Sequence, residues 1–231
     1  IRIGNTIKAY PHQILDWHEI VNDEVDIRNI AITYCPLTGT GIGWNRNING
    51  PIPTTFGVSG LLYNSNLMPY DRSTNSTWSQ QRLDCVNGEN IGTEARLFSF
   101  VEMPWRIWKT AYPNSMVLNT DTGFSREYGE YPYGDYRTNH DNILFPISNA
   151  DNRLNAKERL LGVIINGSSK AYTFNESNAN EIVKDVLNGQ NISVIRNLAS
   201  NYIVAFIGHD YEVLDKNDFP YILKNNIPRP Y

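Results

Sequence analysis

Short β-type runs, four to six residues long and closed by Gly, Asn or Pro, set the limits on what this chain can fold into. Ile30–Tyr34, Gly60–Tyr63, Arg96–Phe100 and Ser115–Leu118 are of this kind, bounded by turn chemistry such as Thr38-Gly39-Thr40-Gly41 and Asn49-Gly50-Pro51. The longest apolar runs, LGVII and IVAFIG, are strand-sized, far from the ~20 residues of a membrane helix. Asn, present 29 times, supplies the turns. Helical patterns are few. Three are expected: Gln13 to Val21 after Pro11; Pro104 to Tyr112 with Trp105, Trp108 and Tyr112 on one face; and Asn178 to Leu187, closed by Asn188-Gly189. The expected class is α+β and β-rich, with short mixed or antiparallel strands and about three peripheral helices. No Ser/Gly linker or charge block interrupts residues 1–231, so a single domain is expected.

Charge and length narrow the function classes. A chain of 231 residues buries roughly 70% of its unfolded surface, enough for a core of its own. Its net charge of −4 comes without basic clusters, which argues against a grip on nucleic-acid phosphates. No nucleic-acid partner and no membrane span are expected. From Gly129 to Asn155 the chain is rich in Tyr, Pro, Asn and Asp and lacks periodicity. It reads as a long loop of the kind that often carries function. One internal echo is present: Ile3-Gly4-Asn5-Thr6-Ile7-Lys8-Ala9-Tyr10 returns as Ile165-Asn166-Gly167-Ser168-Ser169-Lys170-Ala171-Tyr172. Both copies read as a hairpin, a short turn leading into a strand that carries Lys-Ala-Tyr. Two copies are too few for a solenoid.

Cys35 is the sharpest chemical candidate. It ends a strand and opens Cys35-Pro36-Leu37-Thr38, a turn whose backbone N–H groups can stabilise a thiolate. Thr38 stands where a second cysteine of a redox dipeptide would be, so no local disulfide can form. A one-cysteine mechanism, or Cys85 as resolving partner, would be needed. The structural alternative is a buried cysteine or a Cys35–Cys85 bridge. His18 and Glu19, in Trp17-His18-Glu19, are candidates for base and orienting carboxylate, with Asp23 a second choice for the latter. No cofactor is expected. The one metal reading is copper or zinc held by His12, His18 and Cys35.

Other motifs have simpler explanations. Gly57-Val58-Ser59-Gly60 sits in a hydrolase-like pattern, but a strand and turn follow rather than a helix, so its glycines are expected to permit close packing. Asp71 and Arg72 read as a buried ion pair, with an anion held by Arg72 as the other reading. Asp121-Thr122-Gly123 reads as a tight turn. Tyr128, Tyr131, Tyr133 and Tyr136 are suited to a carbohydrate or peptide surface, or to a loop wrapped on the core. Four glycosylation-type acceptors stand at Asn75, Asn166, Asn175 and Asn191, weakly favouring an exported glycoprotein in a chain so rich in Asn.

Several long phrases together resemble one family. They are KAYPHQILDWHEIVND (8–23), IAITYCPLTGTGIGW (30–44), TFGVSGLLYNSNLMPYDR (55–72), STWSQ (76–80), MVLNTDTGFSREYGEYPYGDY (116–136) and KERLLGVIINGSSKAYTF (157–174). In order and spacing the chain resembles the bacterial and archaeal domain-of-unknown-function family 3179, over residues 1–175 at least. The resemblance implies an extracytoplasmic location: periplasmic, cell-surface or secreted. It also implies that Cys35 matches a position used for selenocysteine in some members. Members begin with an acidic, Pro-containing segment ahead of the first hairpin, so an N-terminal segment is expected to be missing here. The resemblance supplies no reaction. The leading expectation is thiol redox chemistry at Cys35, assisted by His18, Glu19 and Thr38, with an unidentified redox partner. Its rival is a non-enzymatic binding or assembly subunit that meets a protein or glycan through the tyrosines of Gly129 to Tyr136.

Overall fold

A computed structural model describes residues 1–174, 180–197, 201–213, 221–224 and 227–230. They gather into two compact units: Ile1–Phe100 with Ser115–Lys157, and Val101–Asn114 with Glu158–Tyr231.

In the first unit β1 (Arg2–Ile3) and β2 (Thr6–Ala9) form the first hairpin, turning at Gly4 with φ 57°. α1 (His12–His18) follows Pro11, whose extended backbone opens the helix. The helix is shorter than its sequence pattern: Glu19 leaves it with φ 59° and ψ −33°, and the chain at once becomes β3 (Ile20–Val25). β3, β4 (Arg28–Cys35) and β5 (Thr40–Asn45) make an antiparallel sheet with β4 in the middle. From Ile30 to Cys35, β4 is buried on both faces, which is why its apolar run is continuous rather than alternating. Ile30, Ile32 and Tyr34 pack with Ile1, Leu15 and Val25. Ala31, of the opposite parity, packs with Trp44, Phe56, Trp78 and Cys85.

A second antiparallel sheet holds β6 (Phe56–Tyr63), β7 (Asn66–Asp71), β8 (Thr77–Ser79) and β9 (Asp84–Asn87). The Asn22 side chain ties the two sheets together, exchanging hydrogen bonds of 2.9 and 2.7 Å with the Phe56 carbonyl and N–H. A register shift between Val58 and Leu62 accommodates Ser59, which donates to the Met68 carbonyl and accepts from the Leu61 N–H at 3.0 Å. Ser59 therefore serves a bulge, not a nucleophile elbow. A Cβ on Gly57 would sit 2.6 Å from the Tyr70 ring, the close approach its glycine was expected to permit. β10 (Met116–Val117) runs parallel to β2, and Arg96–Phe100, read as a strand, contributes only the bridge of Leu97 to Trp44. Gly129 to Asn155 is turns and loop.

The second unit holds α2 (Trp105–Ala111), where Trp108 and Tyr112 meet at a tilt of 51° with ring centroids 4.8 Å apart while Trp105 faces outward. β11 (Leu160–Ile165) and β12 (Ser168–Thr173) are the second Lys-Ala-Tyr hairpin. β13 (Asn180–Leu187), β14 (Gln190–Asn197) and β15 (Tyr202–Ile207) make an antiparallel sheet, and β16 (Tyr211–Val213), β17 (Tyr221–Lys224) and β18 (Ile227–Pro230) another. The helix expected over Asn178 to Leu187 is strand β13 from Asn180 on; Asn178 lies outside the described residues. Asn188-Gly189, taken as a helix end, has φ 47° and 75° and joins Leu187 to Gln190 as a two-residue hairpin turn. The fold is β-rich as expected, with two helices among the described residues.

Candidate functional site

Cys35 closes β4 and is 1% exposed; its Sγ donates to the Ser65 carbonyl at 3.4 Å. Both cysteines are free thiols, so no Cys35–Cys85 bridge forms. Cys85, on β9, points its thiol at the Thr77 and Asn87 carbonyls, 3.3 Å from each. Burial pushes the Cys85 thiol up, so it is not poised to resolve a partner sulfur.

Glu19 reaches the neighbourhood of Cys35 through strand register. Its carbonyl accepts the Tyr34 N–H at 2.7 Å, one residue before the cysteine, and Ile20 pairs with Thr33. Among the described residues no side chain hydrogen-bonds its carboxyl, and burial raises that carboxyl above the ordinary value. A non-glycine residue at positive φ where helices usually end on glycine is a local conflict. Conflicts of that kind concentrate at functional sites.

The Tyr-rich loop closes over this spot. Tyr131 donates to the Pro36 carbonyl at 2.9 Å, and Trp17 of α1 donates to the Glu130 carbonyl at 3.1 Å. Burial first, and then negative charge at Glu19, Cys35 and Asp16, raise the Tyr133 phenol above its ordinary value. Tyr131 is pushed up to about 12, chiefly by burial. Asp16, 5% exposed, is ion-paired with Arg137, whose guanidinium lies 3.9 Å from the centre of the Tyr131 ring. Burial still outweighs Arg137 and His12 and holds the Asp16 carboxyl high. Glu19, Cys35 and Asp16 all act on the Tyr133 phenol, so a thiol and two carboxyl groups of raised pKa gather about one half-buried ring.

His18 turns elsewhere. Its Nε2 is 2.7 Å from the Tyr128 hydroxyl, which in turn meets the Thr122 hydroxyl, and burial, then the charge of Arg126, lowers its pKa. His12 packs at a tilt of 32° against Tyr34 with ring centroids 4.4 Å apart. Among the described residues no group of three His, Cys, Asp or Glu side chains is placed to hold a metal ion. Thr38 is exposed and anchors the outer end of a buried polar chain. Its hydroxyl accepts from Asn66 at 2.8 Å; Asn66 also donates to Gln80 at 3.1 Å; Gln80 and Trp44 each donate to the Thr33 hydroxyl at 2.7 Å.

Sequence reasoning singled out Cys35, Glu19, His18 and Thr38, and the fold groups only the first two in this patch. It missed Asp16, Arg137 and Asn66; the aperiodic Tyr-rich loop was the one available signal for the partners on that segment. Tyr131 and Tyr133 are half-buried and Tyr136 is buried, so Tyr136 packs into the core while Tyr131 and Tyr133 lie partly against it. Asp71 is buried without pairing to Arg72. It accepts from Trp78 at 2.9 Å, from the Ser73 hydroxyl and Thr74 N–H at 2.8 Å each, and from the Thr74 hydroxyl. Arg72 is exposed and donates to the Phe56 carbonyl at 2.7 Å. A cavity of about 120 Å³ lined by Trp44, Phe56, Trp78 and Arg96 is well below the ~300 Å³ at which ligand pockets begin.

No curated protein and no solved structure matches the chain. The family model described as "Protein of unknown function (DUF3179)" matches residues 1–216. That span takes in β1 to β16, the Cys35–Glu19 patch and both Lys-Ala-Tyr hairpins, and the chain belongs to that family.

Proposed function

We propose that this is an extracytoplasmic protein with thiol-based redox chemistry at Cys35, and that Glu19, rather than His18, is the base. The observation that carries the reading is the Glu19 carboxyl, raised by burial, without a hydrogen bond from any described side chain and strained in its backbone beside the cysteine strand. A carboxyl raised above its ordinary value is better matched to proton exchange with a thiol than an unperturbed one. In the step, Cys35 passes its S–H proton to the Glu19 carboxylate and the thiolate attacks one sulfur of an external disulfide. A Cys35–sulfur bond forms as the external S–S bond breaks, and the departing thiolate takes the proton back from Glu19. A second external thiol then releases Cys35 by the reverse exchange, since Cys85 is held on β9. Burial of Cys35 makes access depend on movement of the Tyr131–Tyr133 segment.

The test is exposure of the native protein to oxidised glutathione, read by intact and peptide mass spectrometry. One adduct is expected, on Cys35, absent in Cys35→Ser and at least tenfold slower to form in Glu19→Gln. Native protein that takes up none while the unfolded chain takes up two sinks the proposal. The rival binding role has no observation in its favour at Gly129 to Tyr136.

A further inference from the structure

The Lys-Ala-Tyr echo extends well beyond the two hairpins that first show it. In the first unit Lys8 and Tyr10 converge on one carboxylate oxygen of Asp23, at 2.5 and 2.7 Å, while the other oxygen accepts the N–H of the next residue, Glu24, at 2.8 Å. In the second unit Lys170 and Tyr172 converge on one oxygen of Asp185, at 2.5 and 2.8 Å, and the other oxygen accepts the N–H of the next residue, Val186, at 2.7 Å. Each residue of the second clamp lies 162 positions after its counterpart in the first.

That spacing holds through five strands. β4, Arg28–Cys35, becomes β14, Gln190–Asn197; β5, Thr40–Asn45, becomes β15, Tyr202–Ile207. Pairing register follows it too. Ile3 opposite Thr6 becomes Ile165 opposite Ser168, Asp23 opposite Ile30 becomes Asp185 opposite Ile192, and Ile30 opposite Asn45 becomes Ile192 opposite Ile207. Turn positions with positive φ correspond as well: Gly4 with Asn166, Asp26 with Asn188, Gly39 with Asn201. Because a one-residue slip would turn every side chain to the wrong face, a register kept across five strands without insertion or deletion is a demanding coincidence. The residues agree where the frame needs them: Ile20-Val21 and Asp23 return as Ile182-Val183 and Asp185, and Asn29-Ile30 as Asn191-Ile192.

We infer that the chain is an internal duplication, residues 2–45 and 164–207, in which the Lys–Tyr–Asp clamp is the shared lock of the frame and only the first copy keeps a thiol. At the end of β14 the Tyr34-Cys35 pair is replaced by Arg196-Asn197, both buried. The second copy is a frame without the site. The duplication stands independently of any reactivity at Cys35.

Two measurements on the full chain test it. In paired variants, Tyr10→Phe with Tyr172→Phe and Asp23→Asn with Asp185→Asn, each change is expected to lower the melting temperature by a few degrees, the members of a pair agreeing within twofold. Carboxyl NMR titration is expected to find Asp23 and Asp185 both below the ordinary aspartate range, each returning toward it when its own tyrosine is removed. A clamp that matters in one copy and not in the other overturns the shared lock. A crystal structure in which the strands of 164–207 pair at another spacing overturns the duplication itself. No thiol readout enters either test, so the two proposals can fail separately.

Discussion

Glu19 offers the most informative perturbation, because two separate costs meet at one residue. Its backbone, at φ 59° and ψ −33°, stores roughly 1–3 kcal/mol, of which Glu19→Gly recovers all but the ~0.5–1 kcal/mol of added chain entropy. A net gain of about 1 kcal/mol corresponds to a rise of ~2–4 °C in melting temperature for a chain of this size. The second cost depends on pH. Burial raises the Glu19 carboxyl above its ordinary value of 4.5, so the folded state binds the proton more tightly than the unfolded one. Its contribution is therefore fully present below pH 4.5 and is lost as pH rises through the folded value. Glu19→Gln, which keeps the strain and removes the charge, is expected to match the parent at pH 3.5 and exceed it at pH 8. Glu19→Gly is expected to exceed the parent at both, by more at pH 8. Thermal unfolding followed by circular dichroism at the two pH values reads all four differences. If Glu19→Gly melts below the parent at both, the strain argument is wrong; if Glu19→Gln gains nothing at pH 8, the desolvated-carboxylate argument is wrong.

Three further outcomes follow from the packing. Burial pushes the Asp71 carboxyl up, but its hydrogen bonds from Trp78, Ser73 and Thr74 win and hold it below the ordinary value. Its stabilisation is therefore present at neutral pH and lost as pH falls through the folded value. Asp71→Asn is expected to cost about 2–4 kcal/mol at pH 7 in urea unfolding and much less near pH 2. Thr33→Val and Gln80→Leu each orphan a partner in the buried polar chain and are expected to cost about 1–3 kcal/mol apiece. The double variant should cost less than their sum by roughly 1 kcal/mol or more, and strict additivity would show that the chain is not coupled. Gly57→Ala drives a methyl into the Tyr70 ring and is expected to cost about 1–3 kcal/mol, seen as a lower urea midpoint with unchanged slope.

The parts of the fold legible from sequence are those decided within a few residues. Ile30–Tyr34 reads as a strand because it is apolar throughout and closes at a Pro turn, and both Lys-Ala-Tyr hairpins announce themselves by Gly-Asn and Asn-Gly. Those same cues misled at Asn180–Leu187, where Ile182-Val183 and Val186-Leu187 fit a helical stripe and Asn188-Gly189 fits a helix end. Pairing with β14 decides for the strand, and that partner is tertiary information. The candidate site was legible in its local half only. Cys35 and Glu19 stand out by type and by neighbouring turns, but Asp16 meets Arg137 across 121 residues and Tyr131 reaches Pro36 across 95, distances over which a single sequence carries no pairing signal. Backbone strain at Glu19 is likewise invisible until the helix is seen to stop one residue earlier.

The most direct test of a Cys35–Glu19 site is the pH dependence of Cys35 alkylation by iodoacetamide in the native protein, followed separately from Cys85 by peptide mass spectrometry. The expected result is a Cys35 rate at least tenfold above that of Cys85, rising with pH along a profile that Glu19→Gln displaces. Equal protection of both thiols, with a Cys35 profile indifferent to Glu19→Gln, would contradict it.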